Sequence, residues 1–216
     1  MHDSKYRDFG LQLACKTIRG AVYEGPTYRW TEYGQLESRT MMSGGKRHGL
    51  ATLYGVNGVK QSADEYADGQ KNGQVLTWHP NGQLQTEGRV VNGLFDGVFK
   101  QYSSTGKLLG TYVMNDGTGT LKRWREDGSL HYEAAYNAGK SDGLRRQFYA
   151  SGQTMSEGTM AGGKMDGLWL FYGANGNVET SVCYEAAPTA HSRQLWRRKK
   201  AAAITCPPGP NTAKAE

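Results

Sequence analysis

The stretch Trp78–Gly93, WHPNGQLQTEGRVVNG, decides how this chain of 216 residues folds. An Asn-Gly pair follows an aromatic residue, a polar run follows the pair, and a second Asn-Gly closes the stretch. Asn-Gly is a strong signal for a β-hairpin, because the favoured tight turn needs positive φ at both central residues. The stretch is therefore either one hairpin of a globular domain or one copy of a repeat.

The same arrangement recurs with a period of 24 residues, which indicates that the stretch is one copy of a repeat rather than a single hairpin. If Gly73 is position 0 of a unit, the aromatic Trp78 lies at position 5 and the turn glycine Gly82 at position 9. The glycines at position 0 are separated by 24, 24, 24, 22, 24 and 24 residues: Gly25, Gly49, Gly73, Gly97, Gly119, Gly143 and Gly167. Seven copies with one two-residue deletion identify a tandem repeat.

The second half of each unit also keeps its register. An apolar or aromatic residue stands at position 17, with Tyr112 taking that role in the shortened fourth copy, and a glycine often follows at position 20. Each unit therefore reads strand, turn, strand, turn, and we expect a bend or bulge at the deletion, near residues 115–119. The first turns contain Asn57-Gly58, Asn81-Gly82, Asp127-Gly128 and Asn175-Gly176.

These features predict an all-β fold. Tandem 24-residue β-hairpins lying side by side would form one elongated, twisted, single-layer antiparallel sheet. Residues 25–185 hold the seven repeats. Residues 1–24 are interpreted as a degenerate N-terminal capping repeat, with Tyr6 at the aromatic position, Gly10 at the turn and Ile18 at the apolar position; an unstructured leader is the alternative.

Residues 186–216 lose the period and form a basic tail. Ser192 is a candidate cap for a short helix over Arg193–Ala203 that would cover the C-terminal edge of the sheet. The proline-rich run at residues 207–210 is expected to be disordered. The tail carries six basic residues and one acid of a chain with net charge +6, so residues 1–185 have a net charge of only +1.

Cysteine usage and hydropathy bear on the compartment. Cys15, Cys183 and Cys206 stand far apart without C-x-x-C spacing, which does not support a disulfide framework or a thiolate metal site. The tetrad ending at Cys15, QLAC, is similar to a lipoprotein cleavage box, but no apolar stretch precedes it. No run approaches the roughly 18 apolar residues that cross a bilayer. The sequence therefore predicts a cytoplasmic protein.

Catalytic patterns are missing from the sequence. Glu87, Glu133 and Glu157 share position 14, but equivalent positions of adjacent repeats are about 9–10 Å apart, too far to share a proton, so a solvated face is expected. The five histidines fall at unrelated positions, and neither a nucleophile elbow nor a phosphate loop occurs. We predict no enzyme, no cofactor, no metal site and no small-molecule substrate.

The row of aromatic residues at position 5 is the most informative surface feature. The rings could form what core a single-layer sheet has, or they could line a preformed surface for a partner, since aromatic residues dominate interface energetics. Both can hold for one ring. The candidate partner-binding residues are Trp30, Tyr54, Trp78, Tyr102, Trp124, Phe148 and Tyr172.

The repeats resemble a known family. The position-0 glycine, the aromatic residue, Asn-Gly and the G-K-x-D-G junctions at residues 139–143 and 163–167 are similar to the bacterial variant of the MORN repeat. The resemblance covers roughly residues 25–185; the first copy departs from it with Tyr33-Gly34 in place of Asn-Gly. It implies a hairpin-repeat fold, and proteins of this family are often described as antitoxin- or immunity-like.

Two functions follow as expectations. The first is a protein-binding repeat protein that neutralises a partner, such as a toxin, by covering it. The alternative is a peripheral membrane or scaffold protein whose tail makes weak contact with an anionic membrane or nucleic acid through Arg197, Arg198, Lys199 and Lys200. A nucleic-acid role ranks third, because the repeats carry little net charge.

Overall fold

A computed structural model describes residues 12–14, 22–185, 193–199 and 206. These residues form strands joined by turns, and no helix occurs among them, which confirms the predicted all-β fold of tandem antiparallel hairpins. The strands are β1 (Gln12–Ala14), β2 (Gly25–Trp30), β3 (Leu36–Ser43), β4 (Lys46–Tyr54), β5 (Lys60–Ala67), β6 (Gln70–Trp78), β7 (Leu84–Val91), β8 (Leu94–Phe95), β9 (Gly97–Tyr102), β10 (Leu108–Asn115), β11 (Thr118–Trp124), β12 (Leu130–Asn137), β13 (Lys140–Phe148), β14 (Thr154–Ala161), β15 (Lys164–Tyr172), β16 (Val178–Glu185) and β17 (Arg193–Lys199).

The chain divides into two compact units, residues 1–111 and 112–216, with the division inside β10. In the first unit each strand from β1 to β7 pairs with the next one along the chain, and β7 pairs with both β8 and β9. In the second unit the strands from β11 to β17 pair in the same consecutive order. Each unit is therefore an antiparallel meander, as a repeated strand-turn sequence requires.

The first turn of each repeat differs from the predicted geometry. Around Asn81-Gly82, the His79 N–H donates to the Gln83 carbonyl and the Gly82 N–H to the His79 carbonyl, so three residues form the loop. Only the glycine has positive φ (87°). A three-residue loop needs a type I turn followed by one left-handed residue, whereas the prediction of two positive-φ residues assumed a two-residue loop. That prediction was wrong for this turn.

The turn between repeats has the two-residue geometry instead. Both central residues have positive φ at Asp68-Gly69 (49° and 88°) and at Asn92-Gly93 (48° and 84°). Even Ala138 is held at φ 46° before Gly139. This is the turn whose twist matches that of the flanking strands. The recurrent glycine at position 20 is therefore the residue that joins one repeat to the next.

The turn after the shortened fourth repeat shows no bulge between residues 114 and 119, and the expected bend there stays a prediction. In full-length repeats the pairing across the junction shifts register, as between Asp64 and Tyr66. At the deletion Met114 pairs with Gly119 and Asn115 with Thr118, and no shift is present between them. Met114, not Tyr112, keeps position 17.

Most of the buried apolar side chains occupy one face of the strands. Successive strand residues point to opposite faces, so repeat positions 2, 15 and 17 share a face, here called the packed face. Phe99 and Trp169 at position 2 lie over Gly88 and Gly158, where an added Cβ would meet the rings at 2.1 Å and 2.3 Å. Buried residues at these positions are Tyr66, Val90, Phe99, Tyr112, Met114, Leu121, Ala134, Met160, Trp169 and Val182.

The tail contradicts the predicted helix. Residues 193–199 form strand β17, which pairs antiparallel with β16, with Val182 opposite Arg197. The segment is therefore a strand of the sheet, with its register set by pairing with β16. Ser192, Lys200 and residues 207–210 lie outside the described residues, so their predicted cap, contact and disorder are not placed.

A disulfide between Cys183 and Cys206 corrects the prediction that the cysteines do not pair. Their Cα atoms are 5.7 Å apart, and the cystine closes a loop of sequence separation 23 around β17. Cys183 is fully buried in β16. Sequence spacing did not reveal the pair, because strand pairing brings the two cysteines together.

The N-terminal edge is described only in part. Strand β1 pairs with β2, with Gln12 opposite Arg29 and Ala14 opposite Thr27. The capping-repeat interpretation depends on Tyr6, Gly10 and Ile18, which lie outside the described residues. It stays a prediction.

Candidate binding site

The predicted aromatic row lies on the face opposite the packed face, here called the aromatic face. Repeat positions 1, 3, 5 and 14 share this face by strand alternation. The rings at position 5 fall at the strand ends next to the first turns, and in six of the hairpins the pairing shifts register there, as between Thr77 and Trp78. All seven side chains are half-buried: Trp30, Tyr54, Trp78 and Tyr102 in the first unit, and Trp124, Phe148 and Tyr172 in the second.

Two tyrosines of the row are held by glutamates of the preceding repeat. The Tyr102 hydroxyl donates to Glu87 Oε1 at 2.7 Å, and the Tyr172 hydroxyl donates to Glu157 Oε1 at 2.6 Å. Burial and the bond to Glu157 raise the pKa of Tyr172 to about 12. The bond to Glu87 raises the pKa of Tyr102. The glutamates at position 14 therefore orient the aromatic row.

The same glutamates pair with cations at position 3. Lys100 Nζ lies 2.8 Å from Glu87, and bonds from Lys100 and Tyr102 lower the pKa of that carboxyl. Arg146 bridges Glu133 and Glu157 at 3.4 Å and 3.3 Å. The expected solvated face is thus a ladder of half-buried ion pairs, in which every acid at position 14 has a partner.

Other rings of the row have neighbours of a different kind. Trp30 stacks on Tyr28 with ring centroids 5.4 Å apart. Lys60 Nζ lies 5.6 Å from the centre of the Trp78 ring. These contacts fix the orientation of each ring while part of its surface stays accessible. The structure therefore gives the row a packing role, and its role in binding is treated below as a proposal.

A second set of contacts, at position 6, was missed by sequence reasoning. His79 Nε2 bonds to the Tyr102 carbonyl at 2.9 Å, Arg125 bonds to the Phe148 carbonyl, and the Tyr149 hydroxyl donates to the Tyr172 carbonyl at 2.7 Å. Each side chain thus holds the backbone of the aromatic residue one repeat later. Their residue types differ, so the kind of side chain does not identify them in the sequence. They could be found only by their position, directly after the aromatic residue of each repeat.

The asparagines of the first turns also link neighbouring repeats. Asn57 and Asn81 each accept a bond from the backbone N–H two residues on and donate from Nδ2 to a carbonyl in the next turn, Pro80 and Ser104 respectively. The Asn-Gly pair, which was interpreted from the sequence only as a local turn, therefore also provides a hydrogen bond between neighbouring repeats. Together with position 6 it aligns the turns beside the aromatic row.

The described residues contain few features suited to catalysis. No group of three or more His, Cys, Asp or Glu side chains that could hold a metal ion is found among them. A cavity of about 370 Å³ in the first unit has neither a carboxylate, a histidine nor a cysteine in its lining. The residues that line it are Tyr23, Thr27, Tyr28, Arg29, Ser38, Thr40, Met42 and Arg47. In the described part of the chain, no helix is long and apolar enough to span a bilayer.

Three of the predicted contact residues of the tail lie in strand β17. Arg197 pairs with Val182, Arg198 with Ser181 and Lys199 with Thr180. Lys200 lies outside the described residues. The predicted contact segment is therefore part of the sheet rather than a helix packed over its edge.

Comparison with known families supports a MORN-repeat protein. The model of the family described as MORN repeat variant matches residues 71–92, 141–161 and 165–186, and each match begins two residues before the first glycine of the third, sixth or seventh repeat. MORN repeats are generally protein- or membrane-binding repeats and are a non-catalytic repeat type. No curated protein matches the chain.

Proposed function

We propose that this chain is a non-enzymatic binding protein whose aromatic face captures a partner protein, and that the partner is a toxin that it neutralises. The observation that supports this is the aromatic row: half-exposed rings recur at one repeat position and are held by Glu87, Glu157 and Lys60. A rigid row of aromatic side chains is the kind of surface that supplies interface hot spots.

The mechanism would be steric. Rings that are already fixed lose little conformational freedom on binding, so less of the contact energy is spent on ordering the surface. Rings of adjacent repeats repeat at about 9–10 Å, which suits an extended protein surface better than a small ligand. A partner covered in this way would lose access to its own substrate without any chemistry by this chain.

The experiment is affinity purification of the tagged full chain from its native host, followed by expression of any stoichiometric partner alone and together with this chain. The proposal expects a partner that is toxic alone and harmless in the pair. A stoichiometric partner without toxicity would contradict the neutralising role while keeping the binding role. Failure to recover any protein, with lipid recovered instead, would contradict both.

A membrane-binding role is the second candidate, favoured by the clustering of Arg197, Arg198 and Lys199 at consecutive positions of strand β17. Cations near a surface bind anionic lipid weakly and in a salt-sensitive manner. Sedimentation with phosphatidylserine vesicles would test it, comparing the chain with the Arg197→Gln/Arg198→Gln/Lys199→Gln variant. Equal sedimentation of the two proteins would contradict a role for this segment.

The cytoplasmic location stays a prediction, and the disulfide gives it a direct test. Disulfides persist in oxidising compartments and are rare in the cytosol. A cytoplasmic protein should therefore be recovered from cells, after rapid acid quenching and alkylation, with Cys183 and Cys206 as free thiols. Recovery as the cystine would favour an oxidising compartment instead.

A further inference from the structure

The packed face of the second unit carries a cluster of tyrosines and arginines, here called the tyrosine–arginine patch: Arg123, Tyr132, Tyr136 and Arg145. Strand pairing brings them together, with Arg123 opposite Tyr132 and Arg145 opposite Ala134, two residues before Tyr136. The Arg145 Cζ lies 5.1 Å from the Tyr132 ring centre, and the Arg123 Cζ lies 6.0 Å from that of Tyr112. All four side chains of the patch are half-exposed.

The two arginines of the patch lack carboxylate partners. No carboxylate among the described residues lies within ion-pair distance of either one. The next residue along β13, Arg146, points to the opposite face and bridges two glutamates. Arg146 on the aromatic face is therefore paired with carboxylates, whereas the two arginines of the patch are not.

Comparison with the first repeat shows what is missing. Arg29 occupies position 4, and Glu37 at position 12 lies 3.4 Å from it. Arg123 also occupies position 4, but position 12 of its repeat holds His131. The sheet can thus place an acid beside this arginine, and in the fifth repeat the acid is absent. A carboxylate from outside the unit can take that position.

The chemistry of the patch suits carboxylates. A guanidinium that lies over an aromatic ring keeps its N–H edge available, and that edge matches a carboxylate with two parallel hydrogen bonds. Arg123 and Arg145 stand on strands that lie about 9–10 Å apart with one strand between them. Their partners on that strand, Tyr132 and Ala134, are two residues apart, which displaces the arginines by about a further 6.6 Å along the strand. An extended segment with acids at alternate positions presents a carboxylate on one side about every 6.6 Å, within reach of both flexible side chains.

We propose that the tyrosine–arginine patch binds an acidic segment of a partner protein, with Arg123 and Arg145 each engaging one carboxylate and the tyrosine rings flanking the segment. A protein segment is favoured over nucleic acid, because tight phosphate-backbone binding uses about 6–10 cationic contacts and residues 1–185, which include all the repeats, have a net charge of only +1. The patch is separate from the aromatic face, so it stands whether or not that face binds a toxin.

The test uses the full chain and a fluorescent peptide of about twelve residues with alternating Glu and Ser, measured by anisotropy at low salt. Arg123→Gln/Arg145→Gln should weaken binding about tenfold or more, because each lost arginine–carboxylate pair should weaken affinity by up to about tenfold. The matched control is Lys107→Gln/Lys140→Gln, two exposed cations outside the patch whose loss changes net charge equally. It should change affinity by less than about twofold.

Several results would overturn the proposal. The first is the absence of peptide binding at millimolar concentration, and the second is an equal loss of peptide affinity in the lysine control. The third is tighter binding of a single-stranded oligonucleotide of equal charge, if that binding depends on the same arginines. A lysine peptide of the same pattern should not bind. Thermal unfolding of every variant separates a binding defect from a folding defect, and Arg123→Lys, which keeps the charge without the planar fork, should give an intermediate affinity.

Discussion

The Tyr172 hydroxyl donates a hydrogen bond to Glu157 Oε1 across 2.6 Å, from one repeat to the glutamate of the repeat before it. Tyr102 and Glu87 make the same bond in the first unit at 2.7 Å. An aromatic position and an acidic position that looked independent in the sequence thus form one inter-repeat connection. It stabilises the hairpin stack and fixes ring orientation on the aromatic face, which ties the stability of each unit to its candidate binding surface.

Removal of the Tyr172 hydroxyl should destabilise the protein. Tyr172→Phe leaves the ring in place and deprives half-buried Glu157 of a donor, so the free energy of unfolding should fall by about 1–2 kcal/mol. Urea unfolding measures the change. Tyr33→Phe is the control, because the Tyr33 side chain is 83% exposed, and it should have no measurable effect. Equal stability of Tyr172→Phe and the native chain would contradict the role given to this bond.

The same bond makes a prediction about alkaline pH. The pKa of Tyr172 is raised to about 12 by burial and by its bond to Glu157, above the ordinary value of 10.0. A raised pKa in the folded state gives stability that is present in full below pH 10 and is lost as pH rises towards 12. Ultraviolet titration of tyrosinate should therefore lose its highest-pH step in Tyr172→Phe. An unchanged titration curve near pH 12 would refute the assignment.

The sixth repeat offers a gain of stability. Phe148 occupies the position of Tyr102 and Tyr172, and Glu133 of the preceding repeat occupies the position of their glutamate partners. Phe148→Tyr should supply the missing hydrogen bond and raise the free energy of unfolding by up to about 1 kcal/mol. The paired variant Phe148→Tyr/Glu133→Ala should gain nothing relative to Glu133→Ala. A gain that persists without Glu133 would show that the bond is not its source.

The glycines beneath the large rings of the packed face should not tolerate a side chain. In Gly158→Ala the new Cβ would lie 2.3 Å from the Trp169 ring, so ring or backbone must shift and the free energy of unfolding should fall by about 1–3 kcal/mol. Trp169→Leu in the same chain should reduce the added cost, since Leu121 packs opposite Ala134 in the fifth repeat. Additive effects of the two substitutions in a double-mutant cycle would contradict a direct clash.

The disulfide should stabilise the second unit. Cross-linking a loop of sequence separation 23 lowers the entropy of the unfolded chain and contributes about 3 kcal/mol. Cys206→Ser should lower the melting temperature, and a reducing agent should then have no further effect. Cys15→Ser should leave both the melting temperature and its response to reductant as in the native chain. A native protein insensitive to reductant would count against the cystine.

The period of 24 residues was enough to predict the hairpins and to locate the aromatic row, because turn glycines and strand alternation are local properties. Contacts between repeats escaped prediction. The hydrogen bonds from position 6 to the next repeat are made by His79, Arg125 and Tyr149. These residues occupy the same repeat position but have different side chains. Strand β17 was mistaken for a helix, because its conformation depends on pairing with β16 rather than on its own composition.

Turn geometry also shows that local features could be predicted from the sequence, whereas features set by strand pairing could not. Asn81-Gly82 correctly marked a turn, but loop length, set by how the flanking strands pair, decided that only the glycine has positive φ. Cys183 and Cys206 meet for the same reason: their separation in sequence says nothing of their separation across β16 and the segment after β17. The difference between Arg146, which pairs with two carboxylates, and Arg123 and Arg145, which pair with none among the described residues, became visible only in the structure, because it depends on how the strands pair.

The central claim is that the aromatic face captures a partner protein. The most direct measurement is the affinity of that partner, once co-purified and identified, for the native chain and for Trp78→Ala, Trp124→Ala and Val56→Ala by calorimetry. Val56 is 84% exposed in a turn and serves as the control. The account predicts that each tryptophan variant, still folded, binds at least about tenfold more weakly, while Val56→Ala binds as the native chain does. Unchanged affinity in both folded tryptophan variants would contradict it.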